Sequence, residues 1–227
     1  MMLVDALRKF VGDAELYVDQ IVQENPVKIG FRLTDTGEEA TLAIEVGLAV
    51  VEGLDSPDLL LTMERGSLEG LARGEAQFGA LIGRSRASET RPINYQLLNT
   101  GNAPAAVEAL KSLGFLFTPG RVKSLELRRE LAGEAHGAHP IPLVYHDDIR
   151  FSWYHVDRGE TLNEEGERDP YPQLIVVTSG RGVLTLEEDV VELAPGRAVY
   201  VPVDSLHRVH AEENLEILWL AWKTPLI

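Results

Sequence analysis

Cysteine is absent from all 227 residues, which removes disulfides, thiolate metal sites and a cysteine nucleophile from consideration together. Basic residues are scarce beside acidic ones, 21 Lys and Arg against 36 Asp and Glu, giving a formal net charge of −15. A field of that sign repels nucleic-acid phosphates and anionic membrane surfaces, so neither is an expected partner. The two signs are interspersed rather than blocked, which points to solubility and to no particular partner. Long apolar runs are lacking too. No stretch approaches membrane-spanning length and residues 1–6 carry no basic region, so no membrane insertion and a cytoplasmic location are expected.

What is present is enough chain for two small cores. The turn at residues 118–121 (TPGR) has no apolar pattern and is the best boundary, so the expected domains are residues 1–118 and 119–227. In the first, Leu3, Leu7, Phe10, Ala14, Tyr17 and Ile21 recur at steps of three and four, an amphipathic helix. It should end near Asn25, because Pro26 disfavours helical geometry in the residue before it. Residues 27–33, 40–46, 48–51 and 57–63 then read as strands separated by turn residues. A short helix capped at Ser67 and ended by Gly74 comes next, followed by another over 76–82 and a last polar strand at 85–88. Residues 93–98 fit no element securely. A final helix is capped by Asn102, carries Pro104 in its first turn and Val107, Leu110 and Leu113 on one face, and stops at Gly114.

This order of elements, with DLLLTM at 58–63, LEGLARG at 68–74 and AQFGALIG at 76–83, resembles the sterol carrier protein type 2 lipid-binding domain. The resemblance implies an α+β fold with helices over an antiparallel sheet. It also implies an apolar, lipid-binding tunnel lined by Leu68, Leu71, Phe78, Leu81, Leu110, Leu113 and Phe115. Read from the residues alone, the same side chains make an ordinary filled core, the commoner use of apolar residues at helical spacing.

The second part is dense in short β-branched runs: residues 173–178 (QLIVVT), 183–186 (VLTL), 190–193 (VVEL) and 198–201 (AVYV), punctuated by Gly180, Gly182, an acidic turn at 187–189 and Pro195-Gly196. Strands this short and evenly spaced indicate a closed antiparallel barrel or jelly roll. Gly196, five residues, then Pro202, Asp204 and His207 resemble the second motif of the cupin superfamily, G-x5-P-x-G-x2-H-x3-N, with Asp204 in place of glycine and Ala211 in place of asparagine. Gln173 precedes Gly180 at the spacing of E-x6-G in the first motif, H-x-H-x3-E-x6-G. The resemblance implies an all-β cupin jelly-roll barrel that pairs into a homodimer. Its four metal-ligand positions fall on Glu167, Asp169, Gln173 and His207, of which only His207 keeps the usual ligand type. Such an oxygen-rich set suits divalent manganese, iron or magnesium better than a thiol-loving metal, with zinc also among the candidate cofactors. The competing reading is a barrel without a metal, with residues 167–169 a solvated charged turn.

Three further histidines need placing. His136 and His139 sit among glycine, alanine and proline, which reads as a solvated loop rather than a metal site. His155 lies on the alternating run 149–156 and faces either the cavity, as a ligand-binding residue near His207, or solvent. No catalytic residues are assigned. The two parts together describe a small-molecule- and lipid-binding protein, open to a regulatory role. The alternative is a metal-dependent cupin enzyme of dioxygenase or isomerase type, and whether the chain is an enzyme stays open.

Overall fold

The computed structural model describes residues 1–22, 24–86, 88–146 and 148–223, with the side chain of Glu165 outside the description. The chain divides into two compact units, one of Met1–Ile82 with Ser88–Glu126 and one of Gly83–Ala87 with Leu127–Ile227. Residues 119–126 stay with the first unit because their polar groups are tied to it. Lys123 donates its backbone N–H to Tyr17 Oη at 3.0 Å, and Gln77 Nε2 donates to the Glu126 carbonyl at 3.0 Å.

The first unit is α+β. Strands β1 (Val27–Leu33), β2 (Glu39–Ile44), β3 (Leu48–Glu52), β4 (Leu59–Met63) and β5 (Ile93–Leu97) form one sheet in the order β3-β2-β1-β4-β5. The sheet is mixed rather than wholly antiparallel: β1 and β4 run parallel, from Ile29 opposite Leu59 to Leu33 opposite Met63. Residues 93–97, unplaced by their pattern, are an edge strand whose Ile93 is buried opposite Met63 while Tyr95 is exposed. The amphipathic run at the start is broken into α1 (Leu3–Asp13), a 3-10 turn at Glu15–Tyr17 and α2 (Val18–Ile21). That tighter turn lets Tyr17 stack on Phe115 at 6.1 Å while Ala14 and Ile21 stay buried. Helices α3 (Arg65–Arg73), α4 (Phe78–Ile82) and α5 (Ala103–Phe117) complete the unit.

Helix α5 does not stop at Gly114, because Leu116 and Phe117 beyond it are buried, and burial of two large side chains outweighs a glycine's cost of about 1 kcal/mol. Phe117 is the centre of the core. It stacks on Phe78 at 5.0 Å and meets Phe10 and Phe31 edge-on at 5.1 and 5.8 Å. Leu68, Leu71 and Leu113 are fully buried in the same cluster, with Leu81, Leu110 and Phe115 packed partly exposed against it. No helix among the described residues is long and apolar enough to cross a membrane.

The second unit is all-β. Its strands are β6 (His139–His146), β7 (Ile149–Val156), β8 (Thr161–Glu167), β9 (Gln173–Ser179), β10 (Gly182–Leu186), β11 (Asp189–Leu193), β12 (Ala198–Val201), β13 (His207–Ala211) and β14 (Leu215–Trp222). They form a five-stranded sheet, β12-β9-β14-β7-β6, and a four-stranded one, β11-β10-β13-β8. Alternate residues of both, among them Tyr154, Val156, Ile175, Val177 and Ile217 from the first and Leu162, Leu184 and Val209 from the second, share one core. Of residues 85–88, expected as a strand, 85, 86 and 88 lie in no strand and 87 is outside the described residues. Residues 122–131 contain only a 3-10 turn, Arg129–Leu131, which seats Leu131 on Ile141 and Trp153 on the outward face of the five-stranded sheet.

Two turn positions explain the motif spacing. Gly180 has φ +77° and any Cβ there would lie 1.9 Å from the Asn214 carbonyl oxygen, so only glycine fits. Asp204, in the place of the glycine of the cupin motif that the sequence resembles, has φ +55°. Aspartate is one of the few other residues that tolerate the left-handed region.

Candidate functional site

Inward side chains at one end of the barrel build a polar mouth. Gln173 begins β9, His207 begins β13 and Glu167 ends β8, opposite His207 in register. Gln173 and His207 are buried, at 2% and 4% exposure. The mouth is shaped by a bulge in β8, where six residues from Leu162 to Glu167 oppose three from Val209 to His207. The excess chain puts Asn163 at φ +58° and turns its amide onto His207.

Each of the four expected metal positions already has a protein partner. His207 Nδ1 lies 3.1 Å from the Ser205 carbonyl and Nε2 lies 3.1 Å from Asn163 Nδ2. The carbonyl can only accept, so Nδ1 carries a proton, and Nε2 is taken up by the Asn163 amide. Gln173 Oε1 accepts the indole N–H of Trp219 at 2.8 Å. Glu167 Oε1 lies 2.8 Å from His136 Nδ1, and Asp169 Oδ1 accepts the backbone N–H of Tyr171 at 3.0 Å. Among the described residues, Glu167, Asp169 and His207 do not gather their ligand atoms within 4.8 Å of one another. The donor set therefore does not fit the ion that the barrel type suggests.

The electrostatics of the mouth follow from these contacts. The bond from His136 holds Glu167 below the usual carboxylate range; burial opposes this, and the charges of His136, His207 and Arg86 reinforce it. Burial pushes the Tyr154 hydroxyl well above its ordinary value, and Tyr145, Glu167 and Asp169 add to the effect, so it stays a protonated donor at neutral pH. Ser85 accepts the backbone N–H of His136 at 2.6 Å. Ser85 and Arg86, interposed in the sequence of the first unit, thus lie beside this mouth.

Sequence reasoning missed His136, Asn163 and Tyr154. A bulge and a partner far away in sequence placed the first two. Tyr154 alternates with Trp153 and His155, and the pattern alone does not say which face is inward. The structure decides that His155 is outward. It shares a face with Trp153, pairs with His139 across β6 and with Glu216 across β14, and is only 8% exposed.

The solvated-loop reading of His139 is corrected. The residue opens β6, is 6% exposed, and belongs to a polar cluster on the outer face. Its Nε2 lies 3.2 Å from both Asp157 Oδ2 and Glu160 Oε2, and its Nδ1 lies 3.2 Å from the Gly133 carbonyl. Asp157 Oδ1 lies 3.1 Å from His155 Nε2, and Oδ2 accepts from Arg129 Nε at 3.0 Å. Among the described residues this His, Asp and Glu form the one grouping of three such side chains compact enough for a metal ion.

Residues 152–222 match the family model for the cupin domain. Among solved structures, the chain is similar to a conserved protein of unknown function from Streptococcus pyogenes, at 21% identity over 46% of this chain and 90% of that one, with a TM-score of 0.39. It is similar also to a cupin superfamily protein from Desulfitobacterium hafniense DCB-2, at 18% identity over 44% and 90% with a TM-score of 0.38. A third is a Cupin 2 conserved barrel domain protein from Salinispora arenicola CNS-205, at 20% identity over 44% and 91% with a TM-score of 0.38. No curated protein matches the chain. Residues 152–222 are thus a cupin domain, a β-fold that contributes Asp157 and Glu160 to the surface cluster completed by His139.

Proposed function

We propose that this chain is a small-molecule-binding protein whose ligand sits in the polar mouth of the cupin barrel and is held by hydrogen bonds rather than by a metal at Glu167, Asp169, Gln173 and His207. The observation that carries this reading is the state of His207: both ring nitrogens are engaged, by Ser205 and Asn163, inside an otherwise apolar barrel. Polar groups held in one orientation among apolar walls are what a specific pocket for a small organic molecule needs. Tyr154 offers a donor, and the pair of Glu167 with His136 offers a charge, so a ligand with both a carbonyl or hydroxyl and an ionisable group fits the set. An apolar ligand in the first unit would have to displace Phe117 from three ring contacts, so the reading is kept to the barrel.

The test is a ligand-observed NMR screen of small hydroxy and keto acids against the full chain, repeated on Asn163→Ala and Gln173→Ala. Binding that weakens about tenfold or more in both variants supports the reading, since each loses one or more buried hydrogen bonds. Stoichiometric transition metal in protein purified without chelator, lost in His207→Ala, would instead establish the metal-dependent enzyme.

A further inference from the structure

We propose that His139, Asp157 and Glu160 hold a divalent transition-metal ion on the outside of the barrel. The site would be structural, distinct from the mouth, and would tie the turn between β7 and β8 to the first residue of β6. The two sets lie at opposite ends of their strands: Glu160 precedes β8 while Glu167 ends it, and Ala211, which bonds Glu160, ends β13 while His207 begins it.

Three observations carry the proposal. First, the spacing is already that of a ligand shell. Bonds of about 2.0–2.2 Å to a zinc-type ion separate neighbouring ligand atoms by roughly 2.9–3.5 Å, and His139 Nε2 lies 3.2 Å from each carboxylate oxygen. Second, the ring is oriented for it. The Gly133 carbonyl at 3.2 Å engages Nδ1 and so aims Nε2 at the two carboxylates. A ligating imidazole with its other nitrogen on a backbone carbonyl is the usual support for an ion. Third, burial is graded. The His139 side chain is 8% exposed, whereas Asp157 and Glu160 are 36% and 42% exposed, so the imidazole is fixed while solvent reaches the carboxylates.

The remaining contacts are compatible with an ion. Asp157 Oδ2 also accepts from Arg129 Nε and Glu160 Oε2 also accepts from the Asp157 backbone N–H, each leaving a second lone pair. One imidazole and two carboxylates suit zinc, manganese or iron(II), with water completing the shell.

The experiment titrates zinc into the chelator-stripped full chain by calorimetry, with thermal melts alongside. The expected result is one equivalent bound and a raised Tm, both retained in His207→Ala. Affinity should fall at least tenfold in His139→Ala and in Glu160→Gln. The second variant changes a partly exposed side chain and guards against a misfolded first, with circular dichroism confirming the fold. No saturable zinc binding, or binding that survives Glu160→Gln, overturns the proposal and leaves His139 a doubly protonated partner of the two acids. Zinc lost with His207→Ala and kept in Glu160→Gln overturns it in favour of the mouth. Because the mouth is probed with organic ligands and with Asn163 and Gln173, failure of one reading does not disturb the other.

Discussion

The side-chain oxygen of Gln173 accepts the indole N–H of Trp219 at 2.8 Å inside the barrel, across the pairing of β9 with β14. A glutamine there serves as an acceptor for a partly buried donor, and this pairing is a structural cost to any use of Gln173 as a metal ligand.

Gln173→Leu should therefore destabilise the protein by about 1 kcal/mol, the low end of the cost of leaving a donor unsatisfied, because the indole is only partly buried. Urea unfolding followed by tryptophan fluorescence measures it. An unchanged midpoint would mean that the indole finds water or another partner.

Phe117→Ala removes the ring that Phe10, Phe31 and Phe78 share. A loss of about 3–5 kcal/mol is expected for a large aromatic deleted from a packed core. A loss below about 1 kcal/mol, within what conservative apolar swaps cost, would show that the space beneath the helices is not filled as described and would reopen the apolar-ligand reading of the first unit.

Glu167 supplies a pH dependence whose sign can be worked out. Its folded-state value is depressed by the bond from His136, so its contribution is fully present above the unfolded value, about 4.3, and is lost as pH falls through the lower folded value. Glu167→Gln should lower stability at pH 7 and reduce the further loss between pH 5 and pH 3. The side chain is 47% exposed, so the effect is small. Parallel acid-unfolding curves for the two proteins would refute the assignment.

Asp204→Gly restores the residue that the motif prefers at a left-handed position, φ +55°. A gain of up to about 1 kcal/mol is expected, since a left-handed backbone costs a non-glycine residue roughly 1–2 kcal/mol and glycine loses part of this in chain entropy. Differential scanning calorimetry reads it as a raised Tm, and a fall would show that the aspartate side chain contributes a bond of its own.

Much of the architecture is legible in the sequence. The alternation and turn residues from Gln173 to His207 specify short paired strands, because a period of two with one face buried leaves only one register that hides the apolar set. The spacing of Gly180 and Gly196 follows from backbone at positive φ, which composition alone exposes. Less was legible where a residue's role depends on its partner across the sheet. Residues 93–97 have too few apolar positions to declare a strand and become one only because β4 offers an unpaired edge.

The candidate sites divide in the same way. That His207 and Gln173 lie inside the barrel at one end was determined by the sequence, through the period and the motif. Which atoms they face was not, because a three-residue excess in β8 turns Asn163 onto His207 and sets Glu167 against His136. His139 opens β6 while Asp157 and Glu160 share the turn between β7 and β8, eighteen or more residues further on, and the three carry no spacing signature. Only the antiparallel pairing of β6 with β7 and the turn into β8 bring an imidazole within 3.2 Å of two carboxylates, since contact between distant residues is a property of the folded pairing and not of the order along the chain.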